Sequence, residues 1–167
     1  MSREVNRTGR QILLRILFLL YSAGMLWLLF GQRMDRNIFY GVFSAPPELR
    51  EYWETVKANC NFTPFRTVKQ YLYILEHSAD SALLLHAAAN LAGNVILFIP
   101  LGIFLPGIFR KKASFLRFVL SVIFWVASVE VLQLVTLLGS CDVDDLILNL
   151  AGALVGYIIF RIFRAKK

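Results

Sequence analysis

The chain has few of the residues from which metal centres and common catalytic sites are built. Only two cysteines and two histidines occur in 167 residues. His86 has no second His or Cys at ligand spacing, which argues against a zinc site and leaves it a packed or interfacial residue. No Ser-His-Asp set, no P-loop and no HExxH pattern is present, so the usual sequence-readable chemistries are missing. The net charge of +7 is not accompanied by a basic face interleaved with aromatics, which argues against nucleic acid as a partner. The first apolar run is longer than a signal-peptide core, and LLFGQRM after it offers no A-x-A-like cleavage site. It reads as an uncleaved membrane helix.

Apolar residues are in excess. They make up 57% of the chain, with a mean hydropathy of +0.60, where soluble proteins run at about 45–50% apolar. The excess falls in four blocks, at about 12–30, 81–109, 118–138 and 146–163, each long enough to cross a bilayer. The expected fold is an all-α integral membrane protein, a single domain of four transmembrane helices. Residues 31–80 then form an extracytoplasmic cap of loop and short helices. Pro46, Pro47 and Pro64 break helices there. Glu48–Lys57 spaces its charges and aromatics as a short amphipathic helix would, Asn61–Phe65 reads as a turn, and Val68–Glu76 as a second short helix. Phe39, Tyr40, Tyr52 and Trp53 suit a membrane interface. Pro100 should kink the second block.

Four crossings put both termini on one side. Twelve of the eighteen Lys and Arg lie on the side of the termini and the 110–117 hinge, and six lie on the 31–80 loop. Positive charge marks the cytoplasm, so both termini are expected there. The cap and residues 139–145 then face outward.

Polar groups inside apolar segments are costly and face a bundle interior, a cavity or a partner. They concentrate in Ser128–Tyr157, an apolar helix, an acidic turn and an apolar helix. Glu130 and Gln133 share a face at i+3. Asp145, Asn149, Gly152 and Gly156 form one stripe, and the Gly152-x-x-x-Gly156 spacing lets another helix come close. Asn90 and Asn94 follow His86 at four-residue steps, on one face of the second block. Asn90, Asn94, Glu130, Gln133, Asp142, Asp144, Asp145 and Asn149 are therefore expected to line an outward polar pocket. The amides could equally hold the bundle together by interhelical hydrogen bonds, Glu130 could be a neutral, hydrogen-bonded acid, and the three aspartates could cap the fourth helix. A calcium or magnesium ion at the acidic turn, or a general base acting at the lipid interface, stays open. Cys60 and Cys141 both fall on the outward side. A bridge would clamp the loop over the pocket, but spacing does not show proximity and two free thiols is the simpler reading.

Three pieces together resemble the VanZ-like family of bacterial membrane proteins. They are Asn61-Phe62-Thr63-Pro64-Phe65; Asn90-x-x-Gly93-Asn94 leading into Phe98-x-Pro100-Leu101-Gly102; and Glu130-x-x-Gln133 followed by Asp142-Val143-Asp144-Asp145-x-x-x-Asn149-x-x-Gly152-x-x-x-Gly156-Tyr157. They run in order over about residues 60–160. The resemblance implies a multi-pass protein of the bacterial cytoplasmic membrane, with some relatives linked to resistance against teicoplanin-type glycopeptides. It implies no settled chemistry. The partners it brings to mind are membrane lipids, a glycopeptide antibiotic, a lipid-linked cell-wall precursor or an envelope protein; the alternative is an enzyme acting on a lipid-linked or peptidoglycan substrate. Relatives commonly carry an Arg shortly before the acidic turn, where this chain reads Leu138-Gly139-Ser140-Cys141. Arg66 or Lys69 would have to replace it.

Overall fold

The structure, a computed structural model, describes residues 2–31, 48–109 and 114–165. The sequence readings at Phe39, Tyr40, Pro46 and Pro47, and at Arg110–Lys112 in the hinge, lie outside the described residues. In chain order the elements are α1 (Ser2–Leu26), a π-helical turn (Trp27–Gly31), α2 (Leu49–Ala58), β1 (Cys60–Asn61), α3 (Arg66–His77), α4 (Ser81–Phe109), α5 (Phe115–Val135), β2 (Cys141–Asp142) and α6 (Val143–Ala165).

Four of these segments are long and apolar enough to cross a membrane: Gly9–Gly31, Ser81–Ile108, Phe115–Val135 and Val143–Ala165, with mean hydropathies of 2.0 to 2.2. Large apolar side chains such as Leu19, Leu20, Phe124 and Phe163 stand exposed on them, as they would facing lipid. The fold is an all-α, four-helix membrane architecture. Two expected boundaries move. The third crossing ends at Val135 rather than 138, because Leu137 enters the left-handed region at φ 54° and stops the helix. The fourth begins at Val143 rather than 146, which brings Asp144 and Asp145 into its first turn. There their charge meets the positive end of the helix dipole.

On α5 the buried residues are Phe118, Val122, Val126, Val129, Glu130 and Gln133. Steps of three and four put them on one stripe. The stripe is apolar for most of its length and polar for its last turn. With Met25, Phe98, Leu101, Leu105 and Ala153 its apolar part forms the core. The Phe118 ring stacks on Tyr157 at 4.5 Å.

The closest helix pair is α4 against α6. A Cβ on Gly152 would collide with the Val95 carbonyl oxygen, one on Gly156 with that of Ile99, and one on Gly102 with that of Ala153. Backbone approach of this kind requires glycine, and in a membrane it gains the packing that apolar side chains cannot gain over lipid. Pro100 and Pro106 both lie inside α4. Pro100 cannot donate to the Ile96 carbonyl, and beside that gap the Tyr21 hydroxyl donates to the Leu97 carbonyl at 2.7 Å.

Among the described residues the cap contains α2 and α3, close to the two short helices read from the sequence. It reaches the helix ends through a two-residue parallel pairing, Cys60 with Cys141 and Asn61 with Asp142, closed by Cys141 N–H donating to the Asn59 carbonyl at 3.0 Å. Tyr52 adds a hydrogen bond from its hydroxyl to the Val135 carbonyl at 2.8 Å.

Candidate functional site

The acidic turn and the Asn61–Phe65 loop meet at the end of α5 and α6. Helix α3 has no capping side chain of its own: its N-cap position is Phe65, at φ 61°, so its first N–H groups need partners from elsewhere. Asp144 supplies them. Its Oδ1 accepts from Phe65 N at 2.5 Å, and its Oδ2 from Thr67 N at 2.7 Å and Val68 N at 3.1 Å. Asp144 is fully buried. Its charge lies at the start of α3 and in the first turn of α6, where the helix dipoles favour an anion.

Asp142 completes the joint. Its Oδ1 accepts from Asn61 Nδ2 at 3.0 Å and from Asp144 N at 2.9 Å, and its Oδ2 from Thr67 Oγ1 at 2.5 Å. Asn61 Oδ1 accepts from Thr63 N at 3.1 Å, which fixes the turn before Pro64. Glu130 lies below: its Oε2 accepts the Asp142 backbone N–H at 3.4 Å, so the carboxylate at the end of α5 supports the turn that carries Asp142. Among the described residues no Arg or Lys pairs with these aspartates: Asp144 is held by three backbone N–H groups, and Asp142 by the Asn61 and Thr67 side chains and the Asp144 N–H, while Arg66 and Lys69 are exposed on α3.

The remaining polar residues separate by partner. Asn94 donates through Nδ2 to Asp145 Oδ1, tying α4 to α6. Asn90 turns back to its own helix, to the His86 carbonyl at 2.8 Å and the His86 ring at 3.3 Å. His86 packs edge-on against Tyr71. Gln133 is 5% exposed and Asn149 4%, and Asn149 Oδ1 is buried with no hydrogen-bond partner. Asn149 is one turn below Asp145 and one turn above Gly152. The eight residues therefore fall into an upper layer that binds the cap (Asp142 and Asp144, with Glu130 beneath), an α4–α6 link (Asn94, Asp145), and two buried amides, Gln133 and Asn149. Asn90 stays with His86.

An open groove of about 720 Å³ lies elsewhere. It is lined by Phe18, Leu105, Arg117, Leu120, Phe124 and Trp125 among others, at the end of α5 remote from the acidic turn. Among the described residues no three His, Cys, Asp or Glu side chains are grouped to hold a metal ion. Both thiols are free. Burial, then the neighbouring Glu130 carboxylate, pushes the Cys141 thiol up from its ordinary range.

A family model described as VanZ/LLP1 matches residues 16–164. The chain belongs to the VanZ-like family. The match covers α1 from its fifteenth residue and the later elements to residue 164, so the VanZ-like unit includes the cap and both sides of the clasp, the joint that Asp142 and Asp144 make with residues 61–68. No curated protein and no solved structure matches the chain.

Three participants lie outside the expected site: the Asn61 and Thr67 side chains, which donate to Asp142, and the Phe65, Thr67 and Val68 N–H groups, which donate to Asp144. A helix read from Val68 has Thr67 before it as an ordinary cap, so the missing cap at Phe65 shows only once the helix start at Arg66 is known.

Proposed function

We propose that this VanZ-like protein sits in the bacterial cytoplasmic membrane with both termini in the cytoplasm. Beneath the clasp it binds the polar head of a lipid-linked cell-wall precursor, a glycopeptide antibiotic or an envelope partner. The observation that carries this reading is the Asn149 Oδ1 atom, buried and without a donor. A buried acceptor left unpaired costs about 1–3 kcal/mol, and a ligand N–H or O–H would recover it. Peptidoglycan precursors and glycopeptides are rich in such donors. Asp142 and Asp144 serve as the frame in this reading, and Gln133, Asn149, Asn94 and Asp145 meet the ligand. The orientation is supported by the charge asymmetry of the loops.

The test is thermal unfolding of the purified chain in detergent, with a lipid-linked precursor or teicoplanin added. A ligand at 100 times its Kd raises stability by about 2.7 kcal/mol. Wild type should show that shift, and Asn149→Leu should fold with little change and lose it. A shift that persists in Asn149→Leu would place the ligand elsewhere. An arm with EDTA, calcium and magnesium reports on a cation at the acidic turn. Turnover of the precursor that disappears in Glu130→Gln would favour an enzyme using that carboxylate as acid or base.

A further inference from the structure

The ligand reading makes no use of the only two cysteines in the chain, and the fold sets them opposite each other. They are partners in the parallel pairing of β1 and β2, although 81 positions separate Cys60 from Cys141 in the sequence. Paired residues on neighbouring strands project to the same face, and adjacent strands lie about 4.8 Å apart. That spacing is within the Cα separation of about 4.4–6.8 Å that a disulfide spans. Cys60 is close enough to Cys141 to help hold the Cys141 proton. Cys60 Sγ also donates to the Val56 carbonyl at 3.2 Å, and both residues are half-buried rather than sealed. No third cysteine competes for either partner.

We propose that Cys60 and Cys141 are a dithiol modification site, which a disulfide-bearing oxidant closes to an intramolecular disulfide that locks the cap onto the acidic turn. One thiolate attacks a sulfur of the oxidant's disulfide and releases one thiol, leaving a mixed disulfide. The second thiolate attacks the protein sulfur of that mixed disulfide and releases the other thiol. The S–S bond between the cysteines forms, the oxidant's S–S bond breaks, and the two electrons and two protons leave on the oxidant as two thiols. Asp142, beside Cys141, and Asn61, beside Cys60, are hydrogen-bonded members of the clasp, so the new bond reinforces the joint where the carboxylates already act. The proposal does not depend on what the polar layer binds. The groups facing Cys141 are Glu130, Asp142 and Cys60; they and burial hold its proton, so closure should accelerate as pH rises.

The experiment treats the purified full chain with oxidised glutathione and reads the product by peptide mass. The expected result is one Cys60–Cys141 linked peptide, two hydrogens lighter than the sum of its parts. In the oxidised protein, amide exchange at Thr67 and Val68 should slow by at least about tenfold, since closing a long loop ordinarily contributes more than that. Cys60→Ser/Cys141→Ser should exchange at the faster rate of the dithiol protein whatever the redox conditions. Two thiols that remain open to alkylation, or glutathione adducts that never close, would overturn the proposal. So would a linked peptide with unchanged exchange, because the cap would then not be held by the bond. Loss of ligand binding without loss of the linked peptide would count against the polar-layer reading alone.

Discussion

Where α4 crosses α6, contact is made by leaving side chains out; where the cap meets the acidic turn, it is made by putting charges in. At the crossing, Gly102, Gly152 and Gly156 lay one backbone on another inside the hydrocarbon layer. At the clasp, Asp142 and Asp144 accept six hydrogen bonds from residues 61–68 and from their own turn. The solvent explains the difference. Within lipid, apolar side chains gain nothing by leaving one apolar medium for another, so close packing and hydrogen bonds must hold helices together. At the membrane surface α2 and α3 bury little apolar surface, Val56 being the buried residue of α2 while α3 has none. Charge-assisted hydrogen bonds to an uncapped helix are the stronger available tie.

The comparison breaks most visibly at the glycines. Gly152→Leu places a branched side chain against the Val95 carbonyl, where only backbone separation can relieve it. Overpacking costs about 1–3 kcal/mol where side chains can yield, and here they cannot. The expected outcome is loss of monodisperse folded protein on size-exclusion chromatography. Gly93→Ala is the control, since a Cβ there meets nothing within 4 Å.

Asp144→Asn comes next. An amide keeps the shape but offers one acceptor oxygen where two held three N–H groups, and its NH2 faces a donor. Hydrogen bonds to charged groups contribute about 1.5–3 kcal/mol, so the joint should weaken by about 2–4 kcal/mol. The effect should be local: the four long helices stay folded by circular dichroism while residues 66–77 become sensitive to protease. Cooperative loss of the whole fold would mean that crossing and clasp are one unit rather than two.

That division also explains what could be read in the sequence. The four crossings were legible because hydrocarbon thickness fixes the length of an apolar run, and a close helix approach at Gly152 and Gly156 because small residues at four-residue spacing have few other uses in lipid; that α4 is the partner was not. The residues of the candidate site were legible as polar groups in the wrong medium. Their pairing was not. Asp144 looked like a ligand group because its three partners are backbone N–H groups, which every residue carries and no sequence distinguishes. Asn90, with the same spacing as Asn94, bonds to its own helix instead of crossing to α6. A period of four places two residues on one face but does not say which lies level with Asp145.

The smallest effect separates the two halves of the cap. Helix α3 is held by carboxylates, whereas α2 is tied to α5 by one neutral hydrogen bond, from the Tyr52 hydroxyl to the Val135 carbonyl. Tyr52→Phe removes that bond and leaves the ring, which packs edge-on against Trp53. Val135 ends α5, so its carbonyl belongs to the last turn, where no later N–H of the helix can reach it. Water at the membrane surface can replace the lost donor, which keeps the cost near the low end of the usual 0.5–1.5 kcal/mol. Amide exchange in residues 49–58 should quicken by about threefold to tenfold while exchange at Thr67 and Val68 stays unchanged. If both halves loosened together, the cap would be one rigid lid governed by its weakest tie; if neither moved, the β1–β2 pairing alone would position α2.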